Sequence, residues 1–79
     1  MARHDKKNAE LFLQAMKEVE SMDEQTLVDS LNPTIILVET DDTYNTKQKL
    51  NIFSLLTSLS NAEGKQRNKF VKKIYRALK

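Results

Sequence analysis

The stretch Pro33-Thr34-Ile35-Ile36-Leu37-Val38-Glu39-Thr40 decides the fold of this chain. Its β-branched and aliphatic run favours an extended strand, yet Asn32 before Pro33 is the preferred N-cap and N1 pairing of a helix. No second strand candidate exists among the 79 residues. A lone strand leaves its backbone donors and acceptors unsatisfied, so an extended 33–40 would have to pair with a copy of itself across a dimer. A short buried helix is therefore the expected state of 33–40, with an extended segment as the alternative.

On the N-terminal side, Ala9, Phe12, Leu13, Met16 and Val19 recur at three- and four-residue steps, which predicts a helix from Asp5 to Met22. Leu11, Ala15 and Met22 widen its apolar arc to about 200°, so this helix is expected to be central. Ser21 and Glu24 have capping-box spacing, placing a second helix from near Met22, with Leu27, Val28 and Leu31 buried and Asn32-Pro33 at its end. On the C-terminal side, Asp41, Asp42 and Thr43 read as a polar turn. Asn45 and Gln48 can cap a helix over Thr46–Ser60, whose apolar side is Ile52, Phe53, Leu55, Leu56 and Leu59, with Leu50 off the stripe. Ser60 and Glu63 mark a kink or restart near Gly64, and a last helix follows. The fold class is all-α: a compact bundle of four or five short helices in a single domain over 1–79, with residues 1–5 a frayed tail.

Composition narrows the function. The chain is 39% hydrophobic with one Gly, one Pro and no Cys or Trp, which excludes disulfides and cysteine zinc sites. The longest aliphatic run is Ile35–Val38, far below the ~20 residues of a membrane span, and no apolar leader follows the basic first residues, so a cytoplasmic protein is expected. Catalysis is poorly provided for. His4 is the sole histidine and falls in the tail, Gly64 alone cannot cradle a phosphate, and Asp41 and Asp42 in a polar turn face water rather than a metal. No enzyme activity, metal or cofactor is expected.

Charge carries the one strong signal. The net charge of +2 hides a segregation: nine of eleven acids lie between Glu10 and Asp42, and seven of thirteen basic residues lie between Lys65 and Lys79, with no acid among them. On the last helix, Phe70, Val71, Ile74, Tyr75 and Leu78 span about 140°, and Lys65, Lys69, Lys72, Lys73, Arg76 and Lys79 span about 120° on the opposite side. Only Arg67 falls inside the apolar arc, near the helix start where burial is not yet expected. Cations at i and i+4 repel by a few tenths of a kcal/mol per pair, and a phosphate backbone would offset that repulsion. The plainer account is a lysine-solvated helix end favoured by the helix dipole.

The expected function is a small non-enzymatic regulatory protein binding nucleic acid, DNA or RNA, through those six cations. Without exposed aromatics among them, backbone contact rather than base reading is expected. Thr46–Ser60 followed by the basic helix resembles a helix-turn-helix in element order only, with Gly64, Lys65, Gln66, Arg67 and Asn68 as the candidate reading turn. A strand at 34–40 before two helices would resemble the ribbon-helix-helix order, but Glu39, Asp41 and Asp42 would then face phosphates. The alternative is a protein-interaction module of inhibitor, adaptor or immunity type, acting through the acidic middle (Glu18, Glu20, Asp23, Glu24, Asp29) or through apolar surface at Leu11 and Leu50, with a homodimer as one form of it.

Overall fold

The computed structural model describes residues 4–79, and side chains from residue 6 onward. Four α-helices follow one another: α1 (His4–Ala15), α2 (Glu24–Thr40), α3 (Thr46–Asn61) and α4 (Gln66–Leu78), with a single 3-10 turn at Val19–Ser21 between α1 and α2. No strand occurs among the described residues. The all-α bundle read from the sequence is the fold. The Cα radius of gyration of 11.8 Å matches the ~12 Å expected of a compact domain of this length. Of the frayed tail expected at residues 1–5, residues 1–3 lie outside the described residues, whereas His4 and Asp5 open α1 rather than fray.

The extended alternative for 33–40 is overturned, and so is the expected helix end at Pro33. α2 runs unbroken through it. The reason is a continuous buried stripe of Leu27, Leu31, Thr34 and Val38 at steps of four, three and four residues, which anchors the helix on both sides of the proline. Pro33 lacks the amide that would donate to the Asp29 carbonyl, but both residues are on the exposed side, where water can take up that acceptor.

The helix starts follow local chemistry. The Asn45/Gln48 capping box forms as expected, with the Gln48 amide donating to Asn45 Oδ1 at 2.8 Å and the Asn45 amide to Gln48 Oε1 at 2.9 Å. The Ser21/Glu24 box does not form. Ser21 Oγ instead donates to the Glu18 carbonyl at 3.1 Å, and Asp23 caps α2, accepting from the Thr26 amide at 2.7 Å. That amide, then the Thr26 hydroxyl, and to a smaller degree the charge of Arg67 hold the Asp23 carboxyl below its ordinary 3.8. α3 and α4 are separate helices, joined by a short connection in which Gly64 takes φ +57°. Nothing crowds its missing Cβ, so the glycine serves the backbone alone.

The first helix is shorter than expected. After Ala15 the chain tightens, with Val19 N donating to Met16 O at 3.1 Å, and the Val19–Ser21 turn keeps Met16 and Val19 buried while ending the straight helix. α1 is not the central element: Leu11 and Leu13 face out, and α4 is the helix that packs against α1, α3 and the 3-10 turn together. Ile52, Leu59, Ile74, Leu78, Leu27 and Phe12 form the fully buried centre. A cross-brace closes the far end. Buried Tyr44, in the α2–α3 loop, donates its hydroxyl to the Leu78 carbonyl at 2.7 Å, and Asn8 Nδ2 on α1 donates to Asp41 Oδ2 at 3.2 Å and to the Tyr44 oxygen at 3.5 Å.

Two outcomes are expected. Pro33→Ala restores the missing helical bond on an exposed surface and should raise stability by about 2 kcal/mol in urea unfolding, less a few tenths for the freer unfolded chain. The stability that Asp23 supplies is complete above pH 3.8 and is lost as pH falls through its lowered folded value, because the carboxylate is favoured by the folded helix end. Asp23→Asn keeps a capping oxygen without a titrating group, so acid unfolding followed by circular dichroism should become shallower at its upper end.

Candidate nucleic-acid interface

α4 is two-sided because its residues alternate at helical spacing between apolar and cationic. Val71, Ile74 and Leu78 are buried on one side, with Phe70, Tyr75 and Ala77 half-buried at its margins. All six predicted cations, Lys65, Lys69, Lys72, Lys73, Arg76 and Lys79, are exposed on the opposite side. Their spacing of four, three, four and three residues from Lys65 through Lys69, Lys72, Arg76 and Lys79 makes a stripe about 21 Å long at 1.5 Å per residue. Among the described residues no carboxylate forms an ion pair with any of the six.

Two of the ammonium groups rest on rings. Lys73 Nζ lies 5.5 Å from the Phe70 ring centre and Lys79 Nζ 4.8 Å from that of Tyr75. Two carboxylates touch α4 through neutral side chains. Tyr75 donates its hydroxyl to Glu10 Oε2 at 2.9 Å, and Asn68 donates to Glu20 Oε2, so both carboxylates are held along one margin of α4 by neutral side chains rather than by the cations. The rest of the acidic middle is spread over the 3-10 turn, α2 and its following loop. Glu18, Asp23, Glu24 and Asp29 are exposed there, and none forms an ion pair with the basic face.

Arg67 departs from its sequence reading. It is not at an unburied helix start but 8% exposed, with Nε donating to the Ala62 carbonyl at 3.0 Å and Nη1 to those of Val19 at 2.9 Å and Met22 at 2.6 Å. A guanidinium suits this place because its fixed fork of donors meets carbonyls left over where the 3-10 turn and α3 end, and the partial negative charge of those ends favours a cation. The signal was present in the spacing. Arg67 precedes Val71, Ile74 and Leu78 by four, seven and eleven residues, squarely on their stripe.

This placement also bears on the helix-turn-helix order. Of the candidate reading turn, Arg67 is spent on backbone carbonyls and Asn68 on Glu20; Gly64, Lys65 and Gln66 are exposed, and of these Lys65 and Gln66 have side chains for a ligand. Among the described residues no cluster of three or more metal-ligating side chains occurs, and no helix is long and apolar enough to cross a membrane. Comparison of the chain with models of known families, with curated proteins and with solved structures finds no match.

Arg67→Ala should cost roughly 3 kcal/mol in urea unfolding, because it leaves buried carbonyls of two separate segments without donors. Arg67→Lys should recover only part, since one ammonium cannot reach all three acceptors. Loss of less than about 0.5 kcal/mol in the alanine variant would show the bracket to be dispensable.

Proposed function

We propose that this is a small, non-enzymatic, cytoplasmic regulatory protein that binds nucleic acid through the cationic face of α4. The observation that supports this reading is the stripe itself: six solvent-facing cations on one side of one helix, none in an ion pair among the described residues. Each brings an i,i+4 or i,i+3 neighbour of the same sign, which costs the free protein stability and is offset when phosphates lie alongside.

The arrangement favours phosphate over base contact. Helices α1 and α3 pack against α4, so it presents a flat charged ridge rather than a projecting reading head. Arg76 is the sole arginine of the stripe, and the two rings beside the lysines, Phe70 and Tyr75, are half-buried and already carry Lys73 and Lys79, so neither offers an open face for a base to stack on. The proposed ligand contact is therefore sequence-independent, along one phosphate strand, with Lys65 and Lys79 at its two ends and Lys69, Lys72, Lys73 and Arg76 between.

Titration of a fluorescent random-sequence DNA duplex across a salt series tests this. Six phosphate contacts should give log K against log salt a slope near −5, and Lys69→Gln, Lys72→Gln and Arg76→Gln should each flatten it by about one while leaving the helical signal unchanged. A flat salt response, or absence of binding at low salt, overturns the reading.

A further inference from the structure

The surface opposite in character to the cationic stripe is the face shared by α2 and α3. An apolar groove of about 240 Å³ runs between them, walled by Val28 and Ile35 from α2 and by Phe53 and Thr57 from α3, with Leu31 and Leu56 on its floor. Beyond the wall stands Leu50, 64% exposed, one turn before Phe53 and two turns before Thr57 on α3, so it continues the same face. Val28, 41% exposed, precedes Ile35 by seven residues on α2. These intervals of three, four and seven are those of a helix–helix seam that still lacks its facing helices.

Charge indicates what faces it. α2 carries Glu24, Asp29 and Glu39 and no basic residue, whereas α3 carries Lys47 and Lys49 and no acid; Lys49 Nζ already donates to the Glu39 carbonyl of its own chain at 3.1 Å, which leaves Lys47 to meet the acids of a facing helix. We propose that the groove is covered by a second copy of this chain, in a two-fold dimer that lays α2 of each copy against α3 of the other. That pairing sets acidic α2 beside basic α3 twice over, whereas α2 against α2 would repel. It also makes the surface self-complementary as two-fold symmetry requires: each copy offers one projecting Leu50 and one groove to receive its counterpart. The product is a four-helix arrangement around a closed apolar seam, which adds core to a chain too short to bury much by itself. α4 contributes nothing to the groove lining, so both cationic stripes stay outside the seam.

Sedimentation velocity of the full chain over a concentration series reads this directly, without nucleic acid, so its outcome is separate from that of the salt titration. The expected result is reversible conversion from monomer to dimer as concentration rises. Leu50→Asn should weaken dimerisation at least tenfold while thermal unfolding of the diluted monomer stays unchanged, since Leu50 is not part of the core. Lys47→Glu should weaken it less, and Lys47→Glu combined with Asp29→Lys should regain part of the loss. A chain that stays monomeric to millimolar concentration, so that the groove is left bare or belongs to a foreign protein, overturns the proposal. So does a dimer indifferent to both Leu50→Asn and Val28→Asn, because it would have formed through another face.

Discussion

The guanidinium of Arg67 is the interaction on which the arrangement of the helices depends. Three carbonyls, from Val19, Met22 and Ala62, converge where the 3-10 turn and α3 end; that of Val19 also accepts from the Met22 amide at 3.3 Å, whereas those of Met22 and Ala62 depend on Arg67 in a largely buried position. One side chain answers all three. A hydrophobic residue at this position would bury more apolar surface yet leave the acceptors orphaned, and a lysine could not fork between them. The short turn after α1 thereby acquires a purpose in packing: it directs the Val19 and Met22 carbonyls toward the start of α4.

At the other end of α4, the Tyr44 hydroxyl holds the Leu78 carbonyl, and Asn8 ties Tyr44 and Asp41 to α1. α4 is thus fastened to other segments near both termini, with Val71 and Ile74 packed between. The two fastenings differ in kind. Arg67 reaches out from α4 to backbone acceptors, whereas Tyr44 reaches in to an α4 carbonyl that no helical amide can serve. Together they fix the rotation of α4 about its own axis, and that rotation decides where the six cations point.

Much of this was legible in residue spacing. The two-sided character of α4, the Asn45/Gln48 cap and the apolar stripe of α3 follow directly from three- and four-residue recurrence, and the structure places all of the named cations outward. What local rules missed has physical causes. Pro33 reads as a terminator because its ring and absent amide oppose a helix interior, but burial of Leu27, Leu31, Thr34 and Val38 outweighs a local cost of about 3 kcal/mol. Ser21 reads as a cap by spacing, yet it closes the 3-10 turn and α2 begins only at Glu24, so Asp23 stands at the N-cap position and takes that role. Arg67 is a different case: spacing alone sets it on the buried stripe and Ala62 is five residues away, but two of the carbonyls it meets belong to residues 45 and 48 positions distant, beyond the reach of a local pattern.

The rings beneath Lys73 and Lys79 have a bearing on any anion that approaches. An extended lysine samples many rotamers, and freezing it on contact costs up to about 2 kcal/mol. With Nζ lying over Phe70 and Tyr75, part of that disorder is already removed before an encounter. These two ammonium groups thus stand as rests prepared in advance at opposite margins of the cationic face, and those margins are the cheaper places for a first touch.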